Sequence, residues 1–504
     1  MIGRRPRLSA LLRGAGIEPR AVVGPDPEIR GTGLDSRRIE SGGLFFALRG
    51  LKADGLDYVP EAVERGASAV VSESPRPDWL ESEVTWVQVD EPRRAAGLLA
   101  REYHERPDLA LTLVGITGTN GKTTVAHLVE SIAVNAGRRA GRIGTVGYAF
   151  GEIEGASDRT TPEAPDFYRL LAEMREESID LVSMEVSSHA LAMHRVEGAR
   201  FATAAFLNLG SDHLDFHESE EAYFEAKAKL FAALEESQWA VVPAEGDYAN
   251  RIRERTRAQV LSFGRSEAAD VRLRDEYCGI DGSRAVLETP SGSLPVRTFL
   301  PGRFNLDNVA AAAACALAVG LATDAIAAGV LALQVVPGRV ERVDRGQPFT
   351  VLVDYAHTEQ ALRNLLSWVG ELTSGRVRVV FGCGGDRDKG KRPAMGRAAA
   401  ESGAEICLTS DNPRGEDPEQ IIEEIHQGVI GVPGGVERCS KIADRRAAIR
   451  TAIDAAQVDD TVIIAGKGHE TTQTIGNLIA PFDDREVVAE ALEGLGWRAR
   501  RRGA

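Results

Sequence analysis

Apolar positions along this chain switch between a period of two and a period near 3.6, and the switches lay out its elements. Ser9-Ala-Leu-Leu12, interrupted at once by Arg13, predicts a short helix rather than a secretory signal. Residues 43–48 and 67–72 predict buried strands, with a helical stretch over 58–66 between them. The apolar, β-branched run 111–116 predicts another strand. A small-residue loop follows it, and Val125-Ala-His-Leu-Val-Glu-Ser-Ile-Ala133 then takes up a helical period. Further strands are expected at 180–188 and 204–209, a helix at 220–234, a hairpin region over 270–300, and an Ala-rich helix after Asn308. Pro337-Gly338 punctuates two periodic segments and marks a junction. Beyond it, strands at 349–353, 377–381, 405–409 and 461–465 alternate with helices at 360–371, 393–402, 419–428, 445–456 and 485–492. That rhythm predicts a doubly wound parallel sheet. The fold class is therefore α/β, in three domains spanning 1–105, 106–336 and 337–504.

The 504-residue length fits several domains. No apolar run reaches the length that spans a bilayer, so no membrane insertion is expected. Five cysteines, scattered and without C-x-x-C spacing, argue against a disulfide framework or structural metal and suit a reducing cytoplasm. A net charge of −15 argues against a nucleic-acid surface, and anionic substrates would need locally basic sites.

The chemistry centres on Gly118-Thr-Asn-Gly-Lys-Thr-Thr124, between a strand and a helix. Backbone N–H groups and a helix N-terminus there can hold phosphate, Lys122 can reach the outer phosphates, and Thr123 can bind Mg²⁺. The general phosphate-loop pattern is missed at Ile116, where Gly is wanted. Alone, the loop predicts ATP or GTP and no particular reaction. Glu185, at a strand's carboxyl end, is either a Mg²⁺ ligand or a solvent-facing terminal Glu. Asp212-His-Leu-Asp-Phe-His217 invites zinc, but no Cys is near and a nucleotide site needs oxygen ligands, so Mg²⁺ is preferred. Spacing alone makes Lys227 a solvated helix lysine. Asn305 and Asn308, near a helix start, are caps or face a base. Four polar clusters follow the C-terminal strands, at 354–357, 382–387, 410–414 and 466–470, and four in register on one edge make a ligand crevice.

In order along the chain, Gly118-Thr-Asn-Gly-Lys-Thr-Thr124, Met184-Glu-Val-Ser-Ser-His189, Asp212-His-Leu-Asp215, Glu225-Ala-Lys227, Asp354-Tyr-Ala-His357 and Lys467-Gly-His-Glu470 resemble the Mur ligases of peptidoglycan synthesis. The likeness covers nearly the whole chain. It implies a uridine-binding N-terminal domain, a central ATPase-like domain with a parallel sheet, and a Rossmann-like C-terminal domain. It also implies ATP-dependent amide formation through an acyl phosphate, in a cytoplasmic monomer.

The resemblance implies roles residue by residue. Lys122, His213 and Lys227 are expected in catalysis, with Lys227 carbamylated and joining Thr123, Glu185 and His213 around Mg²⁺. ATP is expected on Gly118, Thr119, Asn120, Gly121, Lys122, Thr123, Thr124, Asn305, Asn308, Arg339, Asp354 and His357. The carboxylate substrate, UDP-N-acetylmuramoyl-L-alanyl-D-glutamate, falls to Leu34, Ser36, Leu51, Lys52, Ala53, Thr160, Thr161, Ser187 and Arg195. Arg159 and Met193 depart from the Asn and Gln that the family places at their positions. Asp411-Asn-Pro-Arg414 resembles the subgroup that adds meso-diaminopimelate, with Arg387, Asp411, Asn412, Pro413, Arg414, Gly466 and Glu470 as its site. A lysine-adding relative, a folate polyglutamate synthetase, and a regulatory phosphate-loop NTPase are the rival readings.

Overall fold

The computed structural model describes residues 5–50, 53–80, 82–157, 159–210 and 212–498. The first of three successive sheets holds, from edge to edge, Ala21–Val23, Thr85–Gln88, Ala67–Ser72, Gly43–Phe46 and Gly31–Gly33. All neighbours are parallel except the Ala21–Val23 edge. The period-two pattern divides its side chains. Leu44, Phe46, Ala69 and Val71 pack with Leu8 and Leu11, whereas Phe45, Val70 and Trp86 pack with Val59 and Ala62. The strand ends at Phe46, short of 48, because Leu48 O leaves the ladder to accept the Gly55 N–H at 2.9 Å.

The central sheet has eleven strands. Thr112–Thr117 lies at its middle, between Leu181–Glu185 and Thr203–Phe206, all parallel. The expected parallel sheet holds only for this middle. Gly147–Phe150 and Ile153–Gly155 at one end, and Gly282–Thr289 and Gly292–Thr298 at the other, are antiparallel. Positive-φ glycines at 147, 151, 282 and 292 reverse the chain tightly there, so no crossover is needed. The Ala-rich helix Arg303–Ala318 buries Ala310 to Ala314 beside the Lys122–Asn135 helix, as its small side chains allow.

The third sheet runs Glu341–Arg342, Thr350–Asp354, Thr461–Ala465, Val377–Phe381, Glu405–Leu408 and Cys439–Lys441. It is parallel except for the Glu341–Arg342 edge. Helices Glu359–Leu372, Lys391–Glu401 and Pro418–Ile430 cover one face, and Arg445–Asp454 and Asp484–Gly494 the other. The four polar clusters therefore leave one edge together. A separate hairpin, Thr472–Ile475 with Leu478–Pro481, stands outside the three sheets. Among the described residues no helix is long and apolar enough to cross a membrane.

Candidate active site

Strand Thr112–Thr117 delivers the phosphate loop from the buried centre of its sheet. Gly118 and Gly121 take φ of 151° and 91°, so the loop turns tightly and the helix starts at Lys122. Asn208, at the end of the neighbouring strand, braces it. Asn208 O accepts from Thr119 N at 3.1 Å, and its side chain exchanges bonds with the Asn120 N–H and carbonyl at 2.9 and 3.1 Å. Sequence reasoning missed Asn208; its only signal was an amide at a strand's carboxyl end. Lys122 Nζ donates to Gly118 O and Thr119 O at 3.0 and 2.9 Å.

Residues 119–124 line a cleft of about 400 Å³ with Thr160, Glu185, His213, Asn305, Asn308, Arg339, Asp354 and His357. Glu185 is buried, and its carboxylate accepts from Thr145 N at 2.8 Å and Thr145 Oγ1 at 3.1 Å. It is not a solvent-facing Glu. Thr123 Oγ1 accepts from Arg339 Nη2 at 2.9 Å, a bond between the central unit and the linker. His213 sits at φ 57°, with Nε2 3.4 Å from Asp212 and its ring 4.7 Å from that of His189. Desolvation pushes it down to about 4, against the pull of Asp212.

Lys227 overturns the solvated-lysine reading. Its side chain is buried because the Glu220–Ala232 helix turns that face inward. Nζ donates to Gly118 O at 3.0 Å and lies 4.3 Å from the Tyr223 ring centre. Burial, with Lys122 nearby, holds its ammonium well below the usual lysine range. Lys122 is lowered by burial as well. Two amines thus converge on Gly118 O, and among the described residues each bonds only carbonyl oxygens.

The linker and C-terminal sheet close the cleft. Asp354 accepts Val340 N and Ala356 N, both at 2.7 Å, so its carboxylate pins the linker. His357 Nδ1 meets Tyr355 O at 2.8 Å, and desolvation pushes its ring down to about 4. Tyr355, also missed, places its ring 4.5 Å from the Arg339 guanidinium and 5.1 Å from the His469 ring. Asn305 is no helix cap. Gly302 occupies that position, and Asn305 Nδ2 turns back to Pro301 O at 2.7 Å while its Oδ1 accepts from Asn308 at 3.0 Å.

A second cleft of about 810 Å³ separates the N-terminal and central units. Leu34 and Ser36 line it with six arginines, Arg30, Arg93 and Arg159 among them, against the four carboxylates of Asp35, Glu61, Glu163 and Asp166, so its lining is basic by a small margin on an acidic chain. Ser36 Oγ donates to Glu61 at 2.6 Å. Ala53 is exposed and does not line this cleft; Leu51 and Lys52 lie outside the described residues. Thr160 Oγ1 bonds Thr145 Oγ1 at 3.0 Å, which assigns it to the phosphate cleft. Thr161, Ser187 and Arg195 form their own network. Thr161 Oγ1 donates to Glu185 O at 2.9 Å and accepts Ser187 N at 3.0 Å, and Arg195 Nη1 reaches Thr161 O at 3.2 Å. Glu163, missed by sequence, is the counterion of Arg195 at 2.9 Å and of Arg159 at 3.4 Å. Met193 Sδ accepts from Arg195 Nη2 at 3.6 Å.

The third group lies at the edge of the C-terminal sheet. Asn412 Nδ2 donates to Glu470 Oε2 at 2.7 Å, and the buried Lys467 donates to the same oxygen at 3.0 Å. Asp411 is buried, and burial raises its carboxyl above the usual range. Its Oδ2 would lie 2.6 Å from a Cβ at Gly466, so only glycine fits there. Arg414 Nη1 donates to Gly385 O at 2.9 Å. Arg387 is exposed, and with Arg414 it flanks Gly384. Pro413 is buried, with its carbonyl packed against Gly385.

Three family models match the chain in sequence order. They are the Mur ligase family catalytic domain over 28–104, the Mur ligase middle domain over 116–316, and the Mur ligase glutamate ligase domain over 338–468. The UDP-N-acetylmuramoyl-L-alanyl-D-glutamate–2,6-diaminopimelate ligase of Solibacter usitatus is 45% identical over 93% of this chain and 94% of its own. The Geobacter metallireducens protein of the same name is 44% identical over 93% and 95%. A solved structure of a ligase of that name has a TM-score of 0.67 and 32% identity, over 98% of this chain and 99% of its own. MurF from Acinetobacter baumannii, 21% identical with a TM-score of 0.67 over 97% and 99%, shares the fold. The chain belongs to the Mur ligase family.

Proposed function

We propose that this protein joins meso-diaminopimelate to the D-Glu carboxylate of UDP-N-acetylmuramoyl-L-alanyl-D-glutamate at the expense of ATP. The observation that carries the reading is Lys122, a half-buried amine of the phosphate loop whose partners among the described residues are the Gly118 and Thr119 carbonyls. A partly desolvated cation without an ion-pair partner is costly, and polyanionic phosphates supply the counter-charge. Two clefts match two of the reactants, an arginine-bearing one for a nucleotide diphosphate and a phosphate loop for ATP, and Arg414 and Glu470 at the edge of the C-terminal sheet offer both charges to a zwitterion.

Among the described residues no cluster of three or more His, Cys, Asp or Glu is placed to hold a metal. The Thr123 hydroxyl and the Glu185 carboxylate both line the phosphate cleft, and such oxygens fit Mg²⁺, which takes one or two protein oxygens and completes its shell with phosphate and water. Thr123 and Glu185 are the oxygens that would hold it, with His213 beside them. Lys227 would join them once carbamylated, a reaction that needs the neutral amine its burial favours. When bound, the ion would neutralise the phosphates. Lys122 then stabilises charge on the transferring phosphoryl group, and Arg195 and Thr161 orient the carboxylate that receives it. The α-amine of the incoming amino acid attacks the resulting acyl phosphate, and phosphate leaves.

Arg414 and Glu470 would read the far end of diaminopimelate. A guanidinium takes the distal carboxylate, which lysine lacks, and a carboxylate takes the distal ammonium. Five free cysteines suit the cytoplasm, where we place the protein as a monomer. The test is phosphate release from ATP with the UDP-linked dipeptide and each amino acid in turn. Release dependent on meso-diaminopimelate, and relaxed toward lysine by Arg414→Ala, is expected. Release indifferent to any amino acid would overturn the reading.

A further inference from the structure

The hairpin Thr472–Ile475 with Leu478–Pro481 joins no sheet, yet its first strand is bonded to the Asp411–Arg414 string along its length. Gln473 Nε2 donates to Asp411 O at 2.8 Å, and Thr474 N donates to Asn412 Oδ1 at 3.0 Å. Arg414 N donates to Thr474 O at 3.0 Å, and Arg414 O accepts from Gly476 N at 2.6 Å. From the other side the buried Lys467 ties Thr472 O, at 2.6 Å, to Glu470. Both backbone polar groups of Arg414 are therefore committed to the hairpin. Its φ of 52° is a left-handed conformation that arginine holds only where its neighbours impose it.

The turn is suited to this task. Ile475 pairs with Leu478, leaving a two-residue loop with glycine first, and Gly476 takes φ 58°. A Cβ built at Gly476 meets nothing within 4 Å. A side chain there acts through backbone conformation alone.

We propose that this hairpin is a specificity element of the amino-acid site. It sets the backbone of Arg414, and so the point from which the guanidinium reaches the distal carboxylate of a diamino dicarboxylic acid. Gln473 and Gly476 are positioning residues that touch no substrate. The inference rests on the diaminopimelate reading above.

The experiment compares the full-length parent with Gly476→Val, Gly476→Asn and Gln473→Ala, measuring KM for all three substrates and kcat/KM for meso-diaminopimelate over L-lysine. Valine is strongly disfavoured at positive φ, whereas asparagine tolerates it. Gly476→Val and Gln473→Ala should each raise KM for diaminopimelate about ten-fold and lower the selectivity ratio similarly, with KM for ATP and the UDP-linked substrate within about two-fold. Gly476→Asn should recover most of the loss. Should Gly476→Val fail to fold, Gln473→Ala carries the test through the same readouts. Parental KM and selectivity in Gly476→Val and Gln473→Ala would overturn the proposal, as would a common rise in all three KM values or an Asn variant as impaired as Val. A parent that releases no diaminopimelate-dependent phosphate defeats the functional reading itself, and this inference with it.

Discussion

Arg445 and Asp484 form an ion pair with neither side chain exposed, at 2.8 and 2.7 Å in bidentate geometry. The same guanidinium donates to Ser410 O at 3.3 Å and Ala465 O at 2.9 Å, the carbonyls just before Asp411 and Gly466. The pair thus anchors two loops of the proposed amino-acid site from inside the fold. Asp484→Leu leaves a buried guanidinium without its counterion, and Arg445→Met leaves the carboxylate, so each should cost about 3–5 kcal/mol. The double variant removes both charges and retains the cost of two carbonyls without donors, about 1–3 kcal/mol each. It should therefore be less destabilised than the sum of the singles by roughly 3 kcal/mol. At about 2–4 °C per kcal/mol for a unit of this size, each single lowers its melting transition by roughly 6–20 °C. Calorimetry of the parent, both singles and the double measures this directly. Singles costing under about 1 kcal/mol, the value of an exposed pair, or strictly additive effects would refute the reasoning.

Two further perturbations address the phosphate cleft. Lys227→Met should lower ligase turnover by about 10²-fold or more, with partial rescue by acetate if the carbamate supplies an anion. It should also change stability with a defined pH sign. A depressed folded pKa means that the unfolded chain binds a proton the folded chain lacks, so parental stability rises with pH by about 1.4 kcal/mol per unit between the depressed value and roughly 10.4. The Met variant lacks that slope, and parallel denaturation curves for the two proteins at pH 7, 8 and 9 would count against a buried neutral amine. Gly121→Ala places a Cβ 2.4 Å from Asn308 Oδ1 at a φ of 91°, and should weaken nucleotide binding by about ten-fold or more in titration calorimetry. Unchanged affinity would show that the loop relaxes freely.

Sequence made the elements of this fold legible where one period dominates. The strand 67–72 and the helices of the C-terminal sheet follow from apolar spacing alone. The hairpins at 147–155 and 472–481 escaped notice because short strands turning on single glycines carry too few positions for a period to emerge. Local pattern also misassigned Lys227, since burial of a lysine is decided by the surface its helix packs against and not by its neighbours in sequence. Counterions such as Glu163, and braces such as Asn208 and Tyr355, come from segments distant in sequence, and single-residue chemistry does not announce them.

The contacts between units suggest where coupling resides. Arg339, two residues past Pro337, spends one guanidinium nitrogen on the Thr123 hydroxyl while its face lies against Tyr355. Asp354 fixes the next residue, Val340, by a charge-assisted bond to its N–H. Tyr355 in turn faces His469, in the loop that carries Lys467 and Glu470. A ligand that draws on Thr123 Oγ1 therefore bears on the linker and, through Tyr355, on the 467–470 loop beside the proposed amino-acid site. Because binding free energies are reciprocally linked, any factor by which an occupied phosphate cleft changes affinity at that site equals the factor by which the amino acid changes affinity for nucleotide. A three-reactant reaction would gain order from this arrangement, since the contacts of the proposed ATP site also bear on the loop proposed to accept the amine.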